Sequence, residues 1–525
     1  MVDRYERTGA MGDLEEAIRL ARQAVQVTPD DHPDPAAYLT NLGNKLKSRY
    51  GRTEAADDLE EAIQVSEHAW KCKNATPFVR LRASNQAIFL LQSQQRFESA
   101  YSLALEAINL LPYVHNRSLD HQDQQYVVSH FSGLATNACA LALQTGKGPE
   151  AALEVLEQGR GVILRLLMDD RSNTSELEAV YPELCARYES LRLEVNRPVE
   201  EITDDRTQNA ASTSRVEALT QLEECVRDIQ QLPGFSHFHK VLTAQQMQSC
   251  STAGSIVVVN LTDLRSDAII ITADALKVLP LPGLSANQAK DWISKDLTTT
   301  SRNDRGKNNK AYFQFLSWLW HECVRPVLDE LHYYAQPSAG DLPRTWWIGT
   351  GLASTFPFHS AGDVSAGLSE SAYYRAISSY TPTIKALQYS RERASTTTSF
   401  LSNRDSWRVV IVMMPETPCA SPLEGTTKEM DKIKPAMGPS MSIKTLEQPD
   451  VGSTMAQLQQ CNIAHFACHG VSDPLDPSKS GLILQTASTA TEEPQQDILT
   501  VREVSQAHLS GAKIAMHSYQ AHTAT

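Results

Sequence analysis

A fifteen-residue stretch occurs twice near the amino terminus. RYERTGAMGDLEEAI at Arg4 to Ile18 returns as RYGRTEAADDLEEAI at Arg49 to Ile63, with 11 of 15 positions identical at a spacing of 45. Around the second copy, Ala37, Leu39, Leu42, Gly43 and Leu46, then Leu59, Ala62, Ile63 and Ala69, are apolar or small at helical spacing. The unit therefore predicts a helix-turn-helix. A helical hairpin leaves one apolar face open and becomes stable by stacking on its neighbours, so such units come in arrays. Two further hairpins are expected: Leu81 to Gln92 with Phe97 to Leu110, and Tyr126 to Gln144 with Pro149 to Met168. The predicted array spans residues 1–168.

The Leu, Gly, small Ala and Tyr pattern of the first helix resembles tetratricopeptide (TPR) repeats, at a spacing longer than their usual roughly 34 residues. A non-TPR α-solenoid or an irregular helical bundle is the other reading. Either is a scaffold that binds a protein or peptide. The second copy has a helix before its turn and the first begins almost at the turn, so the chain is expected to start inside a repeat, as a truncated gene model would.

With 525 residues the chain is long enough for two to four domains. A formal net charge of −14 argues against a nucleic-acid partner, since binding phosphates requires a basic face. No apolar run approaches about 18 residues, and the start is charged from its third residue, so neither a membrane partner nor a signal peptide is expected. A cytoplasmic location follows as the expectation. Nine cysteines are scattered without a CxxC pair, implying neither a metal site nor disulfides, and no motif names a cofactor.

Residues 169–240 carry two more apolar stripes, Leu184, Tyr188, Leu191 and Val195, then Val216, Leu219, Leu222 and Val226, divided by a polar break at Asp204 to Ser214. They predict a helical connector. From residue 241 to 525 the pattern becomes α/β. Ile256 to Leu261 and Ala268 to Thr272 are β-branched runs that predict a hairpin. Further strands are expected at Thr345 to Gly349, Val409 to Met413, Ala464 to Ala467, Gly481 to Leu484 and Ala512 to Met516. Helices are expected at Ala311 to Leu331, Thr383 to Ala394, Thr426 to Ile433 and Ser453 to Gln460. This alternation predicts a mostly parallel sheet with helices on its faces.

The sharpest local feature is His465-Phe466-Ala467-Cys468-His469-Gly470. An apolar strand runs straight into an imidazole and a glycine, at the carboxyl end where open α/β sheets present functional groups. His469 is expected there at least partly exposed, with Gly470 allowing a ligand close to its backbone N–H for oxyanion stabilisation.

HFACHG resembles the His-Gly motif of CHAT domains, which are caspase-like and related to separases. GSIVVVNLTDLRSDAIII with LPLPGL at Leu279 to Leu284, LPRTWWIGTGLASTFPFHSAG at Leu342 to Gly362, AISSYTPTIKAL at Ala376 to Leu387 and LEQGRGVILRLLMDDR at Leu156 to Arg171 resemble other parts of the family. The resemblance implies all-α TPR-like repeats followed by a caspase-like α/β domain, with His469 as general base of a Cys-His endopeptidase. In the family the histidine pairs with a cysteine after the next parallel strand, in a motif reading roughly Leu-Ser-Ala-Cys-x-Thr-Ala. Here that strand is followed by His517-Ser518-Tyr519-Gln520-Ala521-His522-Thr523-Ala524-Thr525, placing the missing cysteine at Gln520 or Ala521. The family also continues beyond that cysteine, so the α/β domain is expected to be incomplete at its carboxyl end, by truncation or by loss.

Single residues admit competing roles. Adjacent strand residues face opposite ways, so Cys468 is expected to be a core thiol. Cys461 is expected at a helix end or loop, and His465 in a structural role. His359 suits either a substrate contact or a loop histidine bonded to backbone. Ser518 sits too early to replace the thiol, and Asp473 and Asp476 suit solvated loop carboxylates. Three functions follow as expectations: a protein-binding scaffold with an inactive caspase-like domain, a cysteine endopeptidase whose cysteine and last strands are lost from the gene model, or a repeat protein with a structural α/β cap.

Overall fold

The computed structural model describes residues 11–28, 35–114, 131–167, 177–178, 180–196, 205–235, 238, 242–295, 305–334, 342–367, 369–397, 407–436, 441–473, 479–486, 493–507, 509, 514–518 and 521–523. The chain divides into two compact units. One comprises 1–163 and 177–389, the other 164–176 and 390–525.

The first unit opens with α1 (Met11–Val27), α2 (Pro35–Thr53), α3 (Ala56–Lys71), α4 (Pro77–Ser93) and α5 (Phe97–Leu110). Each packs on the next, and α2 also packs on α4, as the first helices of successive stacked hairpins do. Leu14, Ala17 and Ile18 are buried in α1, and Leu59, Ala62 and Ile63, each 45 residues further on, are buried in α3. The two copies thus bury the same positions. In the second copy, Asp58 in the first turn of α3 takes a two-pronged bond from the Arg49 guanidinium near the end of α2. This ties the turn shut and sets an anion at a helix amino terminus. The corresponding Arg4 lies outside the described residues. Gly43 sits where the helices cross: a Cβ there would come within 2.9 Å of Gln86 on α4 and 3.0 Å of Ser66 on α3.

The next hairpin is α6 (Ser132–Gln144) with α7 (Gly148–Leu167); its expected start at Tyr126 lies outside the described residues. The connector forms α8 (Pro182–Val195) and α9 (Asp205–Gln231), which close on Cys185, Tyr188, Leu222, Cys225 and Ile229. The expected polar break at 204–214 is instead helical from Asp205 onward. Its run of Gln, Ala and Ser carries no Gly or Pro to stop a helix whose later turns are anchored by packing.

A short helix, α10 (Ala244–Ser249), leads into a five-stranded sheet of β1 (Ser255–Leu261), β2 (Ser266–Ile271), β3 (Leu276–Pro280), β4 (Arg344–Gly349) and β5 (Ile377–Tyr380) in the order β3-β2-β1-β4-β5. β1 pairs antiparallel with β2 and parallel with β4. Both faces are covered, which is why β1 from Ile256 onward is apolar apart from Asn260. Ile256, Val258, Ile269 and Ile271 pack with Ala135 and Cys139 of α6 and Leu153 and Leu156 of α7. On the opposite face Val257, Val259, Ile270 and Trp347 pack with Leu319, Trp320, Val324 and Leu328. Those residues lie on the stretch expected as one helix, here α12 (Arg305–Leu319), a π-helical turn at Trp320–Val324, and α13 (Arg325–Glu330), while α11 (Ala286–Ser294) follows β3. The last helical hairpin is therefore a wall of the first sheet.

The helix α14 (Ile384–Thr397) carries the chain out of the first unit. The second unit holds β6 (Arg408–Met413), α15 (Thr426–Ala436), β7 (Ser442–Glu447), α16 (Val451–Leu458), β8 (Ile463–Ala467), β9 (His469–Ser472), β10 (Gly481–Gln485), β11 (Gln496–Thr500), α17 (Val501–Gln506), β12 (Ile514–Ser518) and β13 (Ala521–Thr523). These form two sheets, β12-β8-β6-β7, parallel throughout, and β11-β10-β9-β13. In the latter, β9–β10 and β10–β11 are antiparallel and β9–β13 is parallel. Alternate residues again divide between two cores: Val410, Val412, Ala464 and Phe466 in one, Val409, Ile411, Met413 and Ile463 in the other.

Among the described residues the expected mostly parallel sheet is three sheets, of which two are mixed. The antiparallel pairs need only short turns, and strands such as β3, β5, β7 and β11 are short and half-exposed, so no apolar run marks them in the sequence. The regions 1–168, 169–240 and 241–525 are stretches of sequence; the two compact units run across them.

Candidate functional site

β6 and β8 lie side by side with Met413 opposite Ala467, so their carboxyl ends coincide. Beyond β6 the chain reads Met414-Pro415-Glu416-Thr417-Pro418-Cys419-Ala420-Ser421-Pro422-Leu423. Three prolines remove N–H donors and fix φ, so this stretch cannot continue as strand or helix. It is held as a loop by main-chain bonds from Met414 N–H to Ala467 O at 2.9 Å and from Leu423 N–H to Pro415 O at 2.8 Å. Gln448 and Gln496 side chains donate to the carbonyls of Glu416 and Pro418 at 3.2 and 2.6 Å.

The loop presents one atom to the histidine. His469 Nε2 lies 2.8 Å from the carbonyl oxygen of Ser421. A carbonyl only accepts, so Nε2 carries the proton and, in the neutral ring, Nδ1 is the basic nitrogen. His469 is only 2% exposed, where partial exposure was expected. The strand does not end at the histidine: β8 stops at Ala467, the chain bends at Cys468, and His469 opens β9 in the neighbouring sheet.

The same change of sheet occurs on the adjacent segment. β12 pairs parallel with β8, with Ser518 opposite Ala467, and β13 pairs parallel with β9, with Ala521 opposite Gly470. Neighbouring strands lie about 4.8 Å apart, so the backbone at position 521 is an immediate neighbour of the His469-Gly470 backbone. Position 521 is alanine. Gln520 lies outside the described residues. Gly470 also has Leu482 of β10 on its other side, so it occupies a sheet interior rather than an open rim.

Two family models match the sequence. A tetratricopeptide repeat model matches residues 2–34 and 36–69, and a CHAT domain model matches residues 314–519. The chain carries tetratricopeptide repeats and a CHAT domain. Among solved structures it is similar to the separase–securin complex of Saccharomyces cerevisiae, at 9% identity and a TM-score of 0.30, over 94% of this chain and 50% of that one. The chain thus spans half the length of that separase-complex chain. No curated protein matches it. The expected order of the fold holds, helical repeats followed by an α/β region, with two of the three sheets among the described residues mixed.

The CHAT match contains His359, Ser421, His469 and Gly470. His359 belongs to the first compact unit, on a turn of 3-10 helix at Phe358–Ser360. Its main-chain N–H donates to the Tyr380 hydroxyl at 3.0 Å, and that hydroxyl lies 2.7 Å from its Nδ1. The hydroxyl accepts the first bond and has both its proton and a lone pair for the ring nitrogen. Partial burial holds this imidazole below its usual range. The structure brings His469, Gly470 and Ala521 together on adjacent strands, with His359 in the other unit.

The CHAT domain's thiols are poor nucleophiles where they lie near the histidine in sequence. Cys468 is buried, and burial pushes its thiol up to about 12; Cys461 is buried with its Sγ 3.4 Å from the Leu458 carbonyl, and its thiol is also raised. His465 is buried with Nε2 3.2 Å from Glu429 Oε1, a structural placement under α15. Asp473 is half-buried and its main-chain N–H donates to the Ser480 hydroxyl oxygen at 2.9 Å, and Asp476 lies outside the described residues. Sequence reasoning missed Ser421, because a backbone carbonyl has no residue-type signature. The available signal was a proline-rich loop following a predicted parallel strand.

Proposed function

We propose that this chain is a protein-binding scaffold whose repeats, 1–168, take a protein or peptide partner, joined through a connector, 169–240, to a catalytically inactive caspase-like domain, 241–525. The observation that carries inactivity is the β9–β13 register, which puts Ala521 opposite Gly470. A methyl group cannot attack a carbonyl, and the imidazole and backbone N–H groups can only activate or stabilise an attacking group. The acidic chain and the absence of any helix, among the described residues, long and apolar enough to cross a membrane support a cytoplasmic partner that is neither nucleic acid nor lipid. No cofactor enters this reading.

Panning a random peptide library against the full chain tests the scaffold. Enriched peptides should protect backbone amides in α2 and α4, around the exposed Phe89 over which Lys47 Nζ sits at 4.1 Å. Protection confined to the second unit would contradict it.

One observation favours the second reading, a cysteine endopeptidase of the caspase-like and separase-related class. The Ser421 carbonyl keeps the His469 ring in the tautomer a general base needs, as the third group of a catalytic triad orients its base. A chain carrying cysteine at 520 or 521 with a family-like extension would then cleave peptides, and cleavage would vanish with His469→Ala.

A further inference from the structure

Two stretches that resemble the family, LEQGRG and YTPTIKAL, are 220-odd residues apart in sequence and joined in the fold. Glu157 Oε2 on α7 accepts the main-chain N–H of Ile384, the first residue of α14, at 2.8 Å. Arg160, one turn along α7, donates Nη2 to the Pro382 carbonyl at 2.7 Å. Glu157 is 5% exposed, and its Oε1 is buried with no hydrogen-bond partner. The guanidinium is committed to Pro382 and forms no ion pair with this carboxyl. Leu153, Leu156, Ile384 and Leu387 join the apolar cluster here, with Ala135 and Cys139 of α6, whose thiol burial keeps protonated.

A carboxylate in such a place caps the positive end of α14 through one oxygen and leaves the other desolvated and unpaired. As the acid it carries no charge. We propose that Glu157 is a proton-operated clasp on α14: protonated, it stays buried and holds the first turn of that helix against α7; ionised, it draws water and releases the turn. The charged groups facing the carboxyl are few. Arg160 is the one on α7, and α14 contributes the main-chain N–H groups of Ile384 and Lys385.

Burial raises the Glu157 carboxyl to about 7, against the pull of Arg160 and the two N–H groups. The sign follows from proton binding. The closed state holds the proton between the ordinary value of 4.5 and about 7, whereas the open state has lost it, so raising pH through that window favours opening. Below the window the clasp is fully closed, and above it the loss is complete.

Amide hydrogen exchange on the full chain, corrected for intrinsic rates, tests this between pH 5 and 8. Protection at Ile384 and Lys385 should fall by about 100-fold and level off above neutrality, while amides of α3 stay constant. Glu157→Gln, permanently neutral, should keep protection and lose the pH dependence. Arg160→Leu removes a cation that favours the ionised form and should move the midpoint to higher pH, a check that stands even if the Gln variant does not fold. A flat profile in the unmodified chain, a pH dependence retained in Glu157→Gln, or a midpoint that stays put or falls in Arg160→Leu would overturn the clasp.

Discussion

The His469 imidazole directs its Nε2 proton to the Ser421 carbonyl, which makes Nδ1 the basic nitrogen of the neutral ring. That the HFACHG segment lies beside the segment after β12 was legible in the sequence. The burial of the ring was not, because a one-residue bend at Cys468 moves it from the end of one sheet into the body of another. The thiols follow the same physics of exposure. Cys419 is exposed on the Ser421 loop, in a left-handed conformation at φ 57°, whereas Cys468 is buried and held protonated. A maleimide should therefore modify Cys419 well before Cys468 in the native chain, as peptide mapping would show; rapid native labelling of Cys468 would refute the burial assigned to it. In the repeats, Asp58→Asn removes the carboxylate under Arg49 and should lower stability by about 1–2 kcal/mol in urea titration. No measurable change would mean the pair is merely a surface contact.

At the scale of elements, long periodic helices and β-branched strands were legible, and short strands with polar faces were not. Helices α4, α5 and α7 carry unbroken apolar stripes of three turns or more, which tertiary context reinforces. β7, Ser442–Glu447, has three exposed positions of six and reads as loop. The glycines of α7 separate packing from propensity. Gly159 faces α6 so closely that a Cβ would lie 2.6 Å from the Ala135 Cβ, whereas a Cβ on Gly161 would enter open space. Gly161→Ala should stabilise by about 0.5–1 kcal/mol through helix propensity. Gly159→Val should destabilise by about 1–3 kcal/mol by forcing the hairpin apart. Denaturant midpoints that shift in the same direction for both would contradict this packing.

At the scale of the molecule, the helical array, 1–168, and the α/β region, 241–525, were read as separate and linked only through the connector, 169–240, so their direct junction was not read. That junction is invisible to periodicity, because residues such as Leu153 and Leu156 look alike whether they face another helix or a sheet. In the fold they cover Ile256, Val258, Ile269 and Ile271. A fragment beginning at residue 241 should therefore expose that face and aggregate, while one beginning at 131 keeps its cover. Sedimentation of the two fragments distinguishes them, and a soluble, monomeric 241–525 fragment would contradict the shared core. We propose that His469 is a base with no nucleophile beside it among the described residues, and peptide turnover tests that reading. The full chain, with and without a repeat-binding peptide, is assayed against an unbiased peptide library alongside the His469→Ala variant. The expected result is no cleavage by either; robust cleavage by the unmodified chain, abolished by His469→Ala, would contradict it.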